Sequence, residues 1–173
     1  MRSTDELNDA FSASDPTGST GEVPMVAPLV GLDLNQFSYE LSIYLAAPPP
    51  KVFGAFVNEI DRWWTYRLRD RTRCTIEPWV GGRWMQEWDN GGALFGTFTV
   101  FDPPRLLCVA GPLAMSRAAQ NLLQFQFDPA DTGTSVVITH QAFGDFDADT
   151  AEIYRNGWDE LIGTSLREYL HRM

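Results

Sequence analysis

The chain has 173 residues, 44% hydrophobic and 13% aromatic, enough apolar material for one sizeable core, which excludes disorder throughout. Thirteen Lys and Arg against 23 Asp and Glu leave a formal charge of -10, and Lys51 is the single lysine. A surface of that sign repels phosphate backbones and anionic lipid, so no nucleic-acid partner and no membrane partner are expected.

Residues 1–35 are rich in Ser, Thr, Gly, Pro and Asp and show neither a helical nor a strand period. They are expected to be a flexible, low-complexity leader, because they cannot bury enough apolar surface to offset their ordering entropy. Residues 1–22, with five acidic side chains and one Arg, are expected to be dispensable for folding. Met1 to Phe11 is polar and lacks the apolar run of a secretory signal. No apolar stretch approaches the ~20 residues of a membrane span. Cys74 and Cys108 lie in apolar stretches, where they are expected to act as small buried hydrophobes, which would suit a reducing cytoplasm.

A single domain is expected over residues 36–173. Phe37, Tyr39, Leu41, Ile43 and Leu45 alternate with polar residues and predict a half-buried strand. Pro48-Pro49-Pro50 ends it. Val52, Phe53, Phe56, Val57 and Ile60 then recur at helical spacing, and Asp61 to Trp64 closes that helix with a second helical turn. Six strands are predicted next: Cys74–Glu77, Gly82–Trp88, Ala93–Phe101, Leu106–Ala110, Leu122–Phe127 and Ser135–Gln141. Asp89-Asn90-Gly91-Gly92 supplies a hairpin turn, and Asp128 to Gly133 reads as a linker of turn formers.

Asp149 stands three residues before Glu152, the spacing of a capping box at a helix start. Tyr154, Trp158, Leu161, Ile162, Leu166 and Leu170 then fall on one broad apolar face. Gly157 and Gly163 interrupt this helix, each costing roughly 1 kcal/mol relative to Ala. Close approach of a backbone or of a ligand is one reason to keep them; tolerance in a long helix is the other. The order is strand, one or two short helices, six antiparallel strands and one long helix. That is an α+β fold with the helix packed on a curved sheet.

Three segments resemble a known superfamily. Glu77-Pro78-Trp79-Val80-Gly81-Gly82-Arg83-Trp84 is similar to its E-P-x-V-G-G-R-W turn. Gly96 to Phe101 followed by Asp102-Pro103-Pro104-Arg105-Leu106 is similar to its strand and D-P-P-x-x-L. Thr134 to Phe143, and Gly157-Trp158 with Leu161, Leu166 and Leu170, resemble its last strand and closing helix. The superfamily is that of the START-like, polyketide-cyclase-like and birch-allergen (Bet v 1)-like proteins. The branch resembled is homologous to the C-terminal domain of the activator of the 90-kDa heat-shock-protein ATPase. The resemblance covers roughly residues 37–171. It implies a helix-grip fold, a seven-stranded sheet wrapping a long C-terminal helix over a hydrophobic cavity. It implies no single activity, because one fold hosts many functions.

Two histidines, His140 and His171, and two scattered cysteines form no metal-ligand spacing, and no nucleotide or nucleophile-elbow motif is present. No metal, cofactor or catalytic residue is therefore assigned. His140 is in phase with Val136 and Ile138, so it faces inward with them, either orienting a ligand or bonding to a core neighbour. A helix grip would bring aromatic residues from separate elements together. The expected ligand-binding set is Trp63, Trp84, Gln86, Phe98, His140, Tyr154, Trp158 and Ile162. The expected function is binding of a small apolar or aromatic molecule between sheet and helix, with a homodimer left open. Two alternatives stand beside it: a cyclase, dehydratase or hydrolase using the same cavity, and a co-chaperone acting on a heat-shock ATPase.

Overall fold

The computed structural model describes residues 34–173. The expected leader, and with it the dispensability of residues 1–22, lies outside the described residues. The exceptions are Leu34 and Asn35, which already belong to the first strand. In chain order the elements are β1 Leu34–Leu45, α1 Pro49–Asn58, α2 Ile60–Trp63, β2 Arg73–Ile76 and β3 Arg83–Trp88. They continue with β4 Gly91–Asp102, β5 Leu106–Gly111, β6 Ala119–Ala130 and β7 Gly133–Asp145. A continuous helical stretch closes the chain: α3 Thr150–Glu160, a π-helical segment Leu161–Leu166, and α4 Arg167–Arg172.

The strands form one antiparallel, curved sheet of seven, in the order β1-β7-β6-β5-β4-β3-β2. The first strand thus pairs with the last, Tyr39 opposite His140 and Ile43 opposite Val136. Alternation sets which side faces in: Ile43 and Leu45 are buried while Ser42 and Tyr44 point outward. In α1 the prolines sit in the first turn, where a missing N–H costs nothing, and Val52, Phe53, Phe56 and Val57 form its buried face. α1 and the C-terminal helix share the inner side of the sheet. The core between them includes Phe56, Trp84, Phe98, Phe125, Phe127 and Ile162, all nearly or fully buried.

Three local features differ from the sequence-based expectation. The stretch Asp128 to Gly133 is mostly strand, paired as far as Ala130 opposite Gly133, so the turn is only Asp131-Thr132. Pro129 is accommodated because the N–H of Phe127, two residues earlier, points toward Arg105. The nitrogen of Pro129 therefore faces the same side, beyond the end of β5, where no ladder bond is lost. Asp149 does occupy the position before α3, but with φ -83 and ψ -5 it is already helical, and its carboxylate makes no capping hydrogen bond. The long helix, finally, is not α-helical throughout. Trp158, Ile162, Leu166 and Leu170 are spaced by four, and at 3.6 residues per turn each step of four drifts by about 40°. The wider π turns, with i to i+5 bonding, take up that drift and keep the buried stripe on the sheet.

Two irregularities shape β4. Trp84 pairs with Gly96 and Met85 with Leu94, so Phe95 is an extra, bulged residue that turns inward. Beside it β4 and β5 approach closely: a Cβ on Gly111 would strike the Gly96 backbone.

Candidate functional site

The helix grip leaves a cavity of about 230 Å³ under the first half of the C-terminal helix. Four segments wall it. From α3 come Ile153, Tyr154, Gly157 and Trp158, and from the start of the π-helical segment Leu161, one helical face. The bulge in β4 supplies Phe95, and the β5–β6 connection supplies Leu113 and Ala114. The segment after α2 supplies Trp64, Tyr66 and Leu68. No charged side chain among the described residues lines it. The walls are indole, phenyl and aliphatic, with the Tyr154 and Tyr66 hydroxyls as polar handles.

Each wall is held by identifiable bonds. Leu113 and Ala114 are consecutive non-glycine residues at φ 48 and 58, a left-handed backbone that costs roughly 1–2 kcal/mol per residue. Their N–H groups donate to Phe95 O at 2.8 Å and Leu94 O at 3.0 Å, which fixes this segment over the cavity. Gln86, fully buried behind the opposite wall, accepts from the Leu68 N–H at 3.0 Å and donates to Tyr66 O at 2.7 Å. Its amide thus stands in for a strand neighbour and pins the segment carrying Tyr66 and Leu68.

Behind Trp158 lies a buried polar chain. The Trp158 indole N–H donates to His140 Nδ1 at 3.4 Å, and the Tyr39 hydroxyl is 3.0 Å from the same nitrogen. His140 Nε2 lies 2.9 Å from Asn121 Oδ1, and Asn121 Nδ2 donates to Gly111 O at 3.3 Å. The bonds fix the tautomer. An indole can only donate, so Nδ1 accepts, and Nε2 carries the proton it gives to Asn121. Burial lowers the His140 pKa from 6.5 to about 4, so the ring is neutral. Burial also pushes the Tyr39 phenol well above its ordinary range and Tyr154 to about 12.

The residues expected at the site distribute as follows. Tyr154 and Trp158 line the cavity. Gln86 and His140 stand one layer back, the first bracing a wall and the second holding the Trp158 ring. Trp84 packs in the core, stacked on the cavity residue Phe95 at 5.4 Å and 18°. Phe98 packs on Phe101, and Ile162 is fully buried against the sheet. Trp63 lies under α1, its indole N–H donating to Ala55 O at 2.9 Å. The chain turns extended at Trp64, φ -70 and ψ 101, and it is Trp64 that reaches the cavity. Phe95, Leu113 and Ala114 were not legible as cavity residues. The bulge at Phe95 breaks the alternation, and no glycine announces the left-handed turn at Leu113.

A curved antiparallel sheet gripping a C-terminal helix over an apolar cavity defines the Bet v 1-like, helix-grip class. Within it, the chain belongs to the family described as Activator of Hsp90 ATPase homolog 1-like protein, whose model matches residues 46–171. Among solved structures it is similar to a putative uncharacterized protein from Rhizobium leguminosarum, at 19% identity and TM-score 0.64, over 81% of this chain and 97% of that one. The Aha1 dimer from Colwellia psychrerythraea is similar at 21% identity and TM-score 0.55, over 78% and 96% of the two chains. The protein Ara h 8.0201 is similar at 13% identity and TM-score 0.58, over 80% and 100%. Identities this low establish the fold alone. No protein of curated function matches the chain. Among the described residues no helix is long and apolar enough to cross a membrane, and no cluster of His, Cys, Asp and Glu is arranged to hold a metal.

Proposed function

We propose that this protein binds a small, uncharged apolar or aromatic molecule in the cavity between α3 and the sheet, and retains rather than converts it. The observation that carries this reading is Gly157. It sits inside α3 and lines the cavity, and a Cβ built there meets nothing within 4 Å. Alanine would fit without a clash and would stabilise the helix by roughly 1 kcal/mol. The glycine therefore serves no packing purpose. It keeps space open. Retention is favoured over chemistry because the described groups lining the cavity are phenols, indole rings and hydrocarbon, and the nearby imidazole is neutral with both nitrogens bonded.

The test is a substitution that fills the space and leaves the fold intact. Gly157→Leu should melt at or above the wild-type temperature, because leucine is the better helix former by up to about 1 kcal/mol. It should also bind neutral bicyclic aromatics, titrated by tryptophan fluorescence, at least about tenfold more weakly than wild type. Equal affinity in the two proteins would sink the proposal. The family's name carries a second reading, assistance to a heat-shock ATPase through the protein surface. Gly157→Leu separates the two, since a surface activity does not depend on the cavity being open.

A further inference from the structure

We infer that the Tyr154 hydroxyl is the specificity determinant of this cavity, selecting uncharged aromatic ligands that carry one hydrogen-bonding oxygen, a ketone or a hydroxyl; the inference rests on the cavity being a binding site. A phenol hydroxyl offers one donor and two acceptor sites, and a buried one ordinarily finds a close partner. Among the described residues the one bond that Tyr154 makes runs to Leu113 O at 3.5 Å, far beyond the roughly 2.7–2.8 Å that O–H···O bonds prefer. Its capacity is essentially unspent. The hydroxyl is also well positioned, since the Tyr154 ring is held edge-on to His140, centroids 5.3 Å apart at 89°.

The other polar groups of the walls do not compete for a ligand. The Trp158 indole N–H is directed at His140. The Trp64 indole N–H has no partner among the described residues, but it is buried and offers almost no surface to an occupant. Tyr66 is 61% exposed, a solvent-facing residue rather than a confined one. Volume limits the occupant: a cavity of roughly 150 Å³ is known to hold benzene, so about 230 Å³ takes one ring with a fused ring or a short substituent. Charge limits it further. With no cationic side chain among the described wall residues, a carboxylate taken into the cavity would lose hydration without compensation. Tyr154 itself stays neutral, its phenol pushed to about 12 by burial.

The experiment uses three compounds on one skeleton: 1-indanone, 1-methylideneindane (oxygen replaced by CH2) and indane-1-carboxylate. Each is titrated into the full chain and into its Tyr154→Phe variant. The variant should lose about 3- to 10-fold in affinity for the ketone while changing less than twofold for the methylidene compound. The carboxylate should bind wild type at least tenfold more weakly than the ketone. Equal losses for both neutral compounds, an unchanged ketone affinity, or a carboxylate bound as well as the ketone would each overturn the inference. Binding of both neutral compounds without any dependence on the hydroxyl leaves the cavity as a binding site and removes only the role of Tyr154. If neither binds wild type, the binding reading falls as well. Should Tyr154→Phe melt early, wild type labelled at the tyrosine Cζ carbons gives one resonance for each of five tyrosines. One of these must then move with the ketone and stay in place with the methylidene compound, and failure to do so overturns the inference.

Discussion

His140 shows how a single side chain can brace a cavity wall without facing the cavity. Its ring is fully buried and joins three elements: Tyr39 on β1, Asn121 on β6 and Trp158 on α3. Replacing it with leucine leaves the Asn121 carbonyl, the Tyr39 hydroxyl and the Trp158 indole N–H without their partner, each at roughly 1–3 kcal/mol when buried. His140→Leu should therefore be clearly less stable than wild type at neutral pH. The pH dependence separates this role from simple packing. Burial holds the folded pKa at about 4 against 6.5 in the unfolded chain, so below pH 6.5 the unfolded state takes up a proton that the folded state refuses. Stability rises with pH wherever the unfolded state binds more protons, so this contribution is full above about 6.5 and is lost as pH falls toward 4. At about 1.4 kcal/mol per pH unit the window amounts to roughly 3 kcal/mol. Urea unfolding of both proteins across it should show their stability difference shrinking by about that amount on acidification. A constant difference would mean that the imidazole is not the titrating group.

The C-terminal helix is the element on which packing and cavity both depend. Its π segment acts like a single inserted residue that lets the stripe Trp158, Ile162, Leu166, Leu170 stay on the sheet. Removing one exposed residue from that segment, Thr164, would leave the buried positions spaced four, three and four, the pattern of an ordinary α-helix. Deletion of Thr164 should therefore cost no more than about 1 kcal/mol, whereas deletion of exposed Asn156 in α3 rotates the following wall residues by about 100° and should cost several. Comparable losses at the two positions would show that the π turns carry strain or function of their own. The stripe's spacing of four was visible in the sequence, but a broad apolar face reads equally well as a continuous α-helix. The alternation of β1 and β7 and the hairpin at Asn90 were legible for the same reason that they form, a period matched to one buried face. Tyr154 and Trp158 were legible as wall residues because a helical face is periodic. Trp64 was harder to place than Trp63, since the choice turns on where a four-residue helix ends. The bulge that turns Phe95 inward is decided by pairing between strands, which local sequence does not encode.

At the scale of the whole molecule, a chain with a formal charge of -10 has a cavity whose described walls bear no charge. The sheet, α2 and α3 meet in an array of indoles around that cavity. Trp64 lies 5.7 Å from Trp63, 5.1 Å from Trp84 and 6.0 Å from Trp158, and Trp84 lies 6.2 Å from Trp158. Rings so close do not absorb or emit as separate chromophores: their transitions couple, and excitation passes among them before any one fluoresces. Near-ultraviolet circular dichroism should therefore be intense, and Trp64→Phe should diminish it by much more than one tryptophan's share; a loss of only that share would show the indoles to be optically independent. Because Trp64 and Trp158 are also walls, an occupant touching either one would change the light emitted by the entire array, so the protein carries its own optical gauge of whether the cavity is filled.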